Sequence, residues 1–170
     1  VDWDYYGPVY SPGHTNCPEC AEMYKMGDNW YLSYSRFSEF VNTIYRVSKS
    51  PFGPWRKPKK DGIGGRRFYA AKSMEADAGR RFYFAWAHDR AKDSDTGEWY
   101  WGGTFCIPHE GAGAEDGELD VRLPKEYEAL FEEPVEWKYT PVMGNVKGYG
   151  KNMLEFDSVS TCTYGFLEHQ

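Results

Sequence analysis

Two stretches decide how this chain is read: Glu19-Cys20-Ala21-Glu22-Met23-Tyr24 and Arg67-Phe68-Tyr69-Ala70-Ala71-Lys72. Each opens a run of short aromatic and β-branched segments broken by turn residues. Glu22–Met26 reads as a strand, Gly27-Asp28-Asn29 as a turn, and Trp30–Ser35 and Asn42–Ser48 as further strands. Ser50-Pro51-Phe52-Gly53-Pro54-Trp55 then marks a turn and a short edge strand, the place in a sheet where proline is tolerated. The pattern recurs with Phe68–Met74, the turn Asp77-Ala78-Gly79, and strands at Arg81–Ala87, Trp99–Ile107 and Leu119–Leu123. The spacing from Glu22 to Phe68 is about that of one four-stranded propeller blade.

Helical periodicity is nearly absent, so the fold class is all-β. Pro124–Phe131 is the one passable helix, with proline suited to its first turn. Asp89–Glu98 and Gly111–Gly117 are polar or glycine-rich and read as exposed loops. Beyond the helix the pattern changes, with strands expected at Val135–Tyr139, Met153–Phe156 and Ser160–Phe166. The organisation expected is a partial β-propeller over 1–124 (blades at about 22–58 and 67–124), a linker at 125–134, and the beginning of a β-sandwich over 135–170. Two blades cannot close a ring, so open edges and inner faces are expected to need a cover, by further blades or by self-association.

Composition narrows the function. Of the 170 residues, 18% are aromatic, including 7 Trp and 14 Tyr. Such residues fill strands and cores, and they also stack on the C–H faces of sugars. The formal net charge of −6 argues against a phosphate-backbone partner, which needs a basic surface. The basic cluster Arg56, Lys57, Lys59 and Lys60 reads as a solvated turn. No apolar run has the length of a membrane-spanning helix and no leader segment is visible, which leaves the compartment open between cytoplasm and secretion.

The four cysteines are Cys17, Cys20, Cys106 and Cys162. His14-x-x-Cys17-x-x-Cys20 and Cys106-x-x-His109 have metal-like spacing, but a second Cys-x-x-Cys is missing. Free thiols and no metal are expected. His88 and His109 have no recognisable Ser or Asp partner motif and read as structural or exposed.

Taken together, the motifs resemble glycoside hydrolase family 32, the β-fructosidases. The resemblance rests on Glu19-Cys20-Ala21-Glu22-Met23-Tyr24, Phe68-Tyr69-Ala70-Ala71, Trp86 in Phe84-Ala85-Trp86, Trp101-Gly102-Gly103 and His109-Glu110, in that order. It implies the last two blades of a five-bladed propeller followed by the start of a β-sandwich. It implies that Glu19 is the acid/base carboxyl, that Cys20, Tyr69 and Trp86 lie at the fructose pocket, and that the substrate is a fructose-containing oligo- or polysaccharide. It requires no cofactor. Trp101 is assigned to packing, and Glu22 to orienting its neighbours.

Retaining glycosidases use two carboxyl groups roughly 5–5.5 Å apart. The family's nucleophilic aspartate, in a Trp-x-Asn-Asp-Pro-Asn-Gly segment, and its Arg-Asp-Pro segment do not occur here; Asp2 and Asp4 match neither. The chain is therefore expected to be the later part of such an enzyme and to be inactive alone. The pKa of Glu19 is expected to be raised by burial and a neighbouring carboxylate, keeping it protonated. A non-catalytic carbohydrate-binding module is the rival. Glycoside hydrolase family 43 is another, sharing the propeller and edge segments like Ser50–Trp55.

Overall fold

The computed structural model describes residues 1–13, 17–37, 41–93, 97–131, 133, 139–143, 145–149, 153–157 and 166–169. The chain divides into two compact units, Val1–Leu130 and Phe131–Gln170.

The first unit is built on two antiparallel sheets. In the first, β1 (Pro18–Met26), β2 (Asn29–Arg36) and β3 (Asn42–Ser48) lie in sequence order. The Gly27-Asp28 turn closes the β1–β2 hairpin, and Met26 faces Asn29 across it. In place of the expected fourth strand the outer edge of β3 carries two isolated bridges, Val47 with Arg56 and Ile44 with Gly62. Pro51, Pro54 and Pro58 deny this edge the N–H donors that a longer ladder requires.

The second sheet contains β4 (Tyr69–Glu75), β5 (Arg81–Arg90), β6 (Trp99–Phe105), β7 (His109–Gly113) and β8 (Leu119–Arg122). Its path is β4-β5-β7-β8, with β6 also paired to β5. The third strand of this blade is thus split in two. β6 pairs with the Trp86–Arg90 end of β5, and β7 with Arg81–Tyr83. Pro108 lies in the break. Gly111–Gly113, expected in a loop, belong to β7. A Cβ on Gly111 would lie 2.5 Å from the ring of Tyr83, so glycine here marks a close approach between strands rather than a turn. Likewise Asp89 and Arg90 extend β5 into the stretch expected as a loop.

The core lies where the two sheets meet. Tyr24, Tyr31, Tyr45, Val47, Ile63, Phe68, Ala71, Tyr83 and Ala85 form one buried cluster. Most of its volume is tyrosine, and hydroxyls in an apolar core need partners. The hydroxyls of Tyr24 and Tyr83 bond to each other at 2.7 Å, and that of Tyr45 accepts the Leu119 N–H at 2.9 Å. Arg56 lies near Glu118, and the Glu118 carboxylate accepts the backbone N–H groups of Lys59 and Lys60, so the basic cluster is a braced surface turn.

The one-turn helix α1 (Lys125–Glu128) follows β8. Arg80 holds it to the blade, bonding Glu126 at 2.6 Å and Glu110 at 2.7 Å. In the second unit, β9 (Tyr139–Met143) pairs with β12 (Phe166–His169), and β10 (Asn145–Tyr149) with β11 (Met153–Asp157). Residues 135–138 and 160–165 of the strands expected here lie outside the described residues.

Candidate functional site

The two stretches that open the blades meet at their first strands, and each strand carries a bulge there. On β1 the register shifts between Glu19 and Glu22, with Cys20 at φ 53°; on β4 it shifts between Tyr69 and Lys72, with Ala70 at φ 54°. Non-glycine residues in this left-handed region persist only where surrounding structure holds them. The two bulges brace each other. Lys72 Nζ donates to the carbonyls of Cys20 (2.8 Å) and Ala21 (3.0 Å). The Ala70 N–H donates to Ser35 Oγ, and the Ala71 N–H to Thr43 Oγ1. Ser35 and Thr43 are fully buried and bond to each other at 3.0 Å. Glu22 accepts the Ser73 N–H at 2.8 Å, tying β1 to β4.

This bracing sets Glu19 against Tyr69. The Tyr69 hydroxyl donates to Glu19 Oε2 at 2.5 Å, and the Cys17 thiol donates to Oε1 at 3.0 Å. Glu19 is half-buried and Tyr69 buried. Burial, and then the adjoining carboxylate, push the tyrosine hydroxyl well above its ordinary pKa. The Glu19 hydrogen bond does the same to the Cys17 thiol. The expected rise at Glu19 is not met. The hydrogen bonds from Tyr69 and Cys17 hold its pKa below the usual carboxylate value and outweigh burial. In this structure Glu19 is an ionised acceptor.

A cavity of about 420 Å³ opens beside it, lined by Glu19, Phe37, Tyr69, Trp86, His88, Trp99 and Tyr100. Glu19 is the only carboxylate among the described lining residues. Tyr69 and Trp86 are direct cross-strand partners on β4 and β5. Cys20 is exposed at its bulge next to Glu19 and does not line the cavity.

The cavity also gathers residues that the motifs did not single out. Phe37, in the turn after β2, meets Tyr69 at 6.0 Å and Trp99 at 5.1 Å between ring centroids. His88 is buried, and its ring lies 3.7 Å from that of Trp99. The signal for His88 was the strand itself. Trp86, His88 and Arg90 alternate along β5, so a period of two puts them on one face. His109 lies elsewhere, against Phe68 at 4.3 Å. Its neighbour Glu110 is buried in the Arg80 ion pair.

Among the described residues no group of three or more His, Cys, Asp or Glu is placed to hold a metal. Cys17, Cys20 and Cys106 are free thiols. His14 and Cys162 lie outside the described residues, as does the side chain of Trp101. No helix among the described residues is long and apolar enough to cross a membrane.

No protein-family model and no curated protein matches the chain. Among solved structures it is similar to the Xyloglucan PUL GH43B of Bacteroides ovatus, at 18% identity and a TM-score of 0.51, covering 64% of this chain and 23% of that one. It is also similar to the xylan beta-1,4-xylosidase of Bacillus halodurans C-125, at 18% identity and a TM-score of 0.52, covering 68% and 24%. A glycoside hydrolase family 32 structure from Bifidobacterium adolescentis aligns at 18% identity over 78% of this chain and 21% of that one, with a TM-score of 0.48. The chain thus spans about a quarter of the length of these structures or less. The first two likenesses show the fold: an all-β chain whose sheets are blades of the kind that build the β-propellers of glycoside hydrolases.

Proposed function

We propose that this chain is part of a propeller glycoside hydrolase that cleaves β-fructofuranosyl bonds in sucrose or inulin- or levan-type fructans, with retention. Residues 1–124 supply two blades, 125–134 a linker and 135–170 the start of a β-sandwich. Glu19 is the acid/base carboxyl, Tyr69 and Trp86 stand at the sugar, and Cys20 flanks Glu19 at the bulge outside the cavity. The observation that carries this reading is the Tyr69–Glu19 hydrogen bond. It joins two motifs 50 residues apart at one aromatic-lined cavity. The fructose specificity rests on the sequence motifs alone.

The low pKa of Glu19 fits a site lacking its second carboxylate. A general acid must be protonated, and a nucleophilic carboxylate roughly 5–5.5 Å away would raise the pKa of Glu19 by like-charge repulsion. That nucleophile is an aspartate outside this chain, so the 170-residue chain alone does not turn over substrate. The second blade also offers itself for cover. Met74, Phe84 and Phe105, exposed at 56%, 37% and 82%, share one face of the sheet, and that face supports self-association of the isolated chain.

One observation favours a second reading. A lone, ionised carboxylate among aromatic rings also suits a non-catalytic carbohydrate-binding module. Hydrolysis of sucrose and inulin by the chain, beside a form extended N-terminally by the missing blades, separates the two. Activity confined to the extended form and abolished by Glu19→Gln supports the glycosidase. An inactive extended form that still binds sugar supports the module.

A further inference from the structure

Resting on the reading of the cavity as a carbohydrate site, we propose that Trp99 is a specificity-determining wall. Backed by His88 and Arg90 and flanked by Phe37, it contacts the sugar unit on the far side of the bond that Glu19 serves. The argument begins with what an acid/base carboxyl must reach. It protonates the bridging oxygen, so one sugar unit lies on either side of it. Glu19, Tyr69 and Trp86 line the cavity from β1, β4 and β5. Trp99 lines it from the start of β6, and the ring contacts run to it from Tyr69 through Phe37 and from Trp86 through His88.

Trp99 is held like a platform. Arg90 is its register partner across β5–β6, with the guanidinium carbon 3.5 Å from the indole centroid. Arg90 Nε donates to His88 Nε2 at 3.4 Å, and the His88 ring is 3.7 Å from the indole. Both residues therefore press on Trp99 from β5. An aromatic ring fixed in advance loses little freedom on binding, which is what a stacking surface for the C–H face of a sugar requires. Trp99 nonetheless stays 36% exposed and Phe37 44% exposed, so the wall is open to a ligand. A cavity of about 420 Å³ is in the range of small-molecule sites.

Binding to the 170-residue chain tests this without needing turnover. Calorimetry or intrinsic tryptophan fluorescence would be followed with methyl β-fructofuranoside, sucrose and an inulin-type trisaccharide. Trp99→Ala is expected to weaken the di- and trisaccharide by about tenfold while changing the methyl glycoside by less than about twofold. Trp99→Phe is expected to keep most of the affinity. Phe37→Ala, in an exposed turn, provides an independent reading if Trp99→Ala does not fold. Equal weakening of all three ligands, or none, would overturn the wall while leaving the carbohydrate site intact. Failure of the unsubstituted chain to bind any of the sugars would overturn the carbohydrate reading and the wall with it.

Discussion

The Tyr69 hydroxyl and the Glu19 carboxylate meet at 2.5 Å, across the junction of two sheets whose first strands are both bulged at that point. The phenol donates and the carboxylate accepts, so the bond stabilises the ionised form of Glu19. Tyr69→Phe removes the largest cause of that stabilisation. The Glu19 pKa is then expected to rise toward the ordinary carboxylate range, with about 1 kcal/mol lost from the fold at neutral pH. Because the folded pKa lies below the unfolded one, this contribution is present above the unfolded pKa. It disappears as pH falls through the folded value. Carboxyl NMR titration of the two forms checks this; a Glu19 midpoint that does not move would contradict it.

Thr43 is the buried hinge of the β4 bulge. Its hydroxyl donates to the Phe68 carbonyl at 3.0 Å, accepts the Ala71 N–H and lies beside Ser35 Oγ. Thr43→Val keeps the shape and removes every one of these bonds. A loss of about 1–3 kcal/mol is expected, chiefly from the Ala71 N–H left without its partner, since the Phe68 carbonyl still accepts the backbone N–H of residue 43. Urea unfolding gives the value, and the midpoint should fall without a change in slope.

Arg80 ties α1 to the second blade through Glu126 and buried Glu110. Its guanidinium is the main cause of the lowered Glu110 pKa. That carboxylate therefore stabilises the fold above its unfolded pKa and ceases to do so as pH falls through the folded one. Arg80→Met should lower the Tm by several degrees at pH 7. It should also flatten the fall in Tm between about pH 5 and pH 3. A parallel fall in both proteins would rule out Glu110 as the group responsible.

Gly103 packs against Ala87 and the Trp86 ring. It has φ 152°, and a Cβ there would lie 2.2 Å from the Ala87 carbonyl oxygen and 2.8 Å from the ring of Trp86. Gly103→Ala must therefore displace the backbone of β6 from β5, and it crowds the Trp86 indole as well. A destabilisation of about 1–3 kcal/mol is expected, with a shift in tryptophan emission. Emission and stability like those of the original chain would mean that β6 has more room than this packing allows.

Strand punctuation in the sequence was strong enough to mark β3 at Asn42–Ser48, the Gly27-Asp28 hairpin and the helix after Pro124. These depend on local chemistry: β-branched and aromatic runs, a turn glycine, a proline at a first turn. What was not legible depends on contacts distant in sequence. Gly111–Gly113 looked like a loop because only the Tyr83 ring reveals why a strand there needs glycine. Nothing local marks Cys20 or Ala70 for a positive φ; Lys72, Ser35 and Thr43 brace the bulges from the opposite sheet. The motif reading identified Glu19, Tyr69 and Trp86, which line one cavity, but it left out the wall formed by Phe37, His88 and Trp99. It also supposed that burial and a neighbouring carboxylate would raise the Glu19 pKa, whereas two hydrogen-bond donors lower it.

The most direct test of the central claim is the hydrolysis of sucrose and inulin by the N-terminally extended protein with and without Glu19→Gln. An acid/base glutamate contributes on the order of 10²–10⁴-fold. A rate loss of that size is the predicted result. Hydrolysis at the unsubstituted rate would contradict the assignment of Glu19 as the acid/base carboxyl.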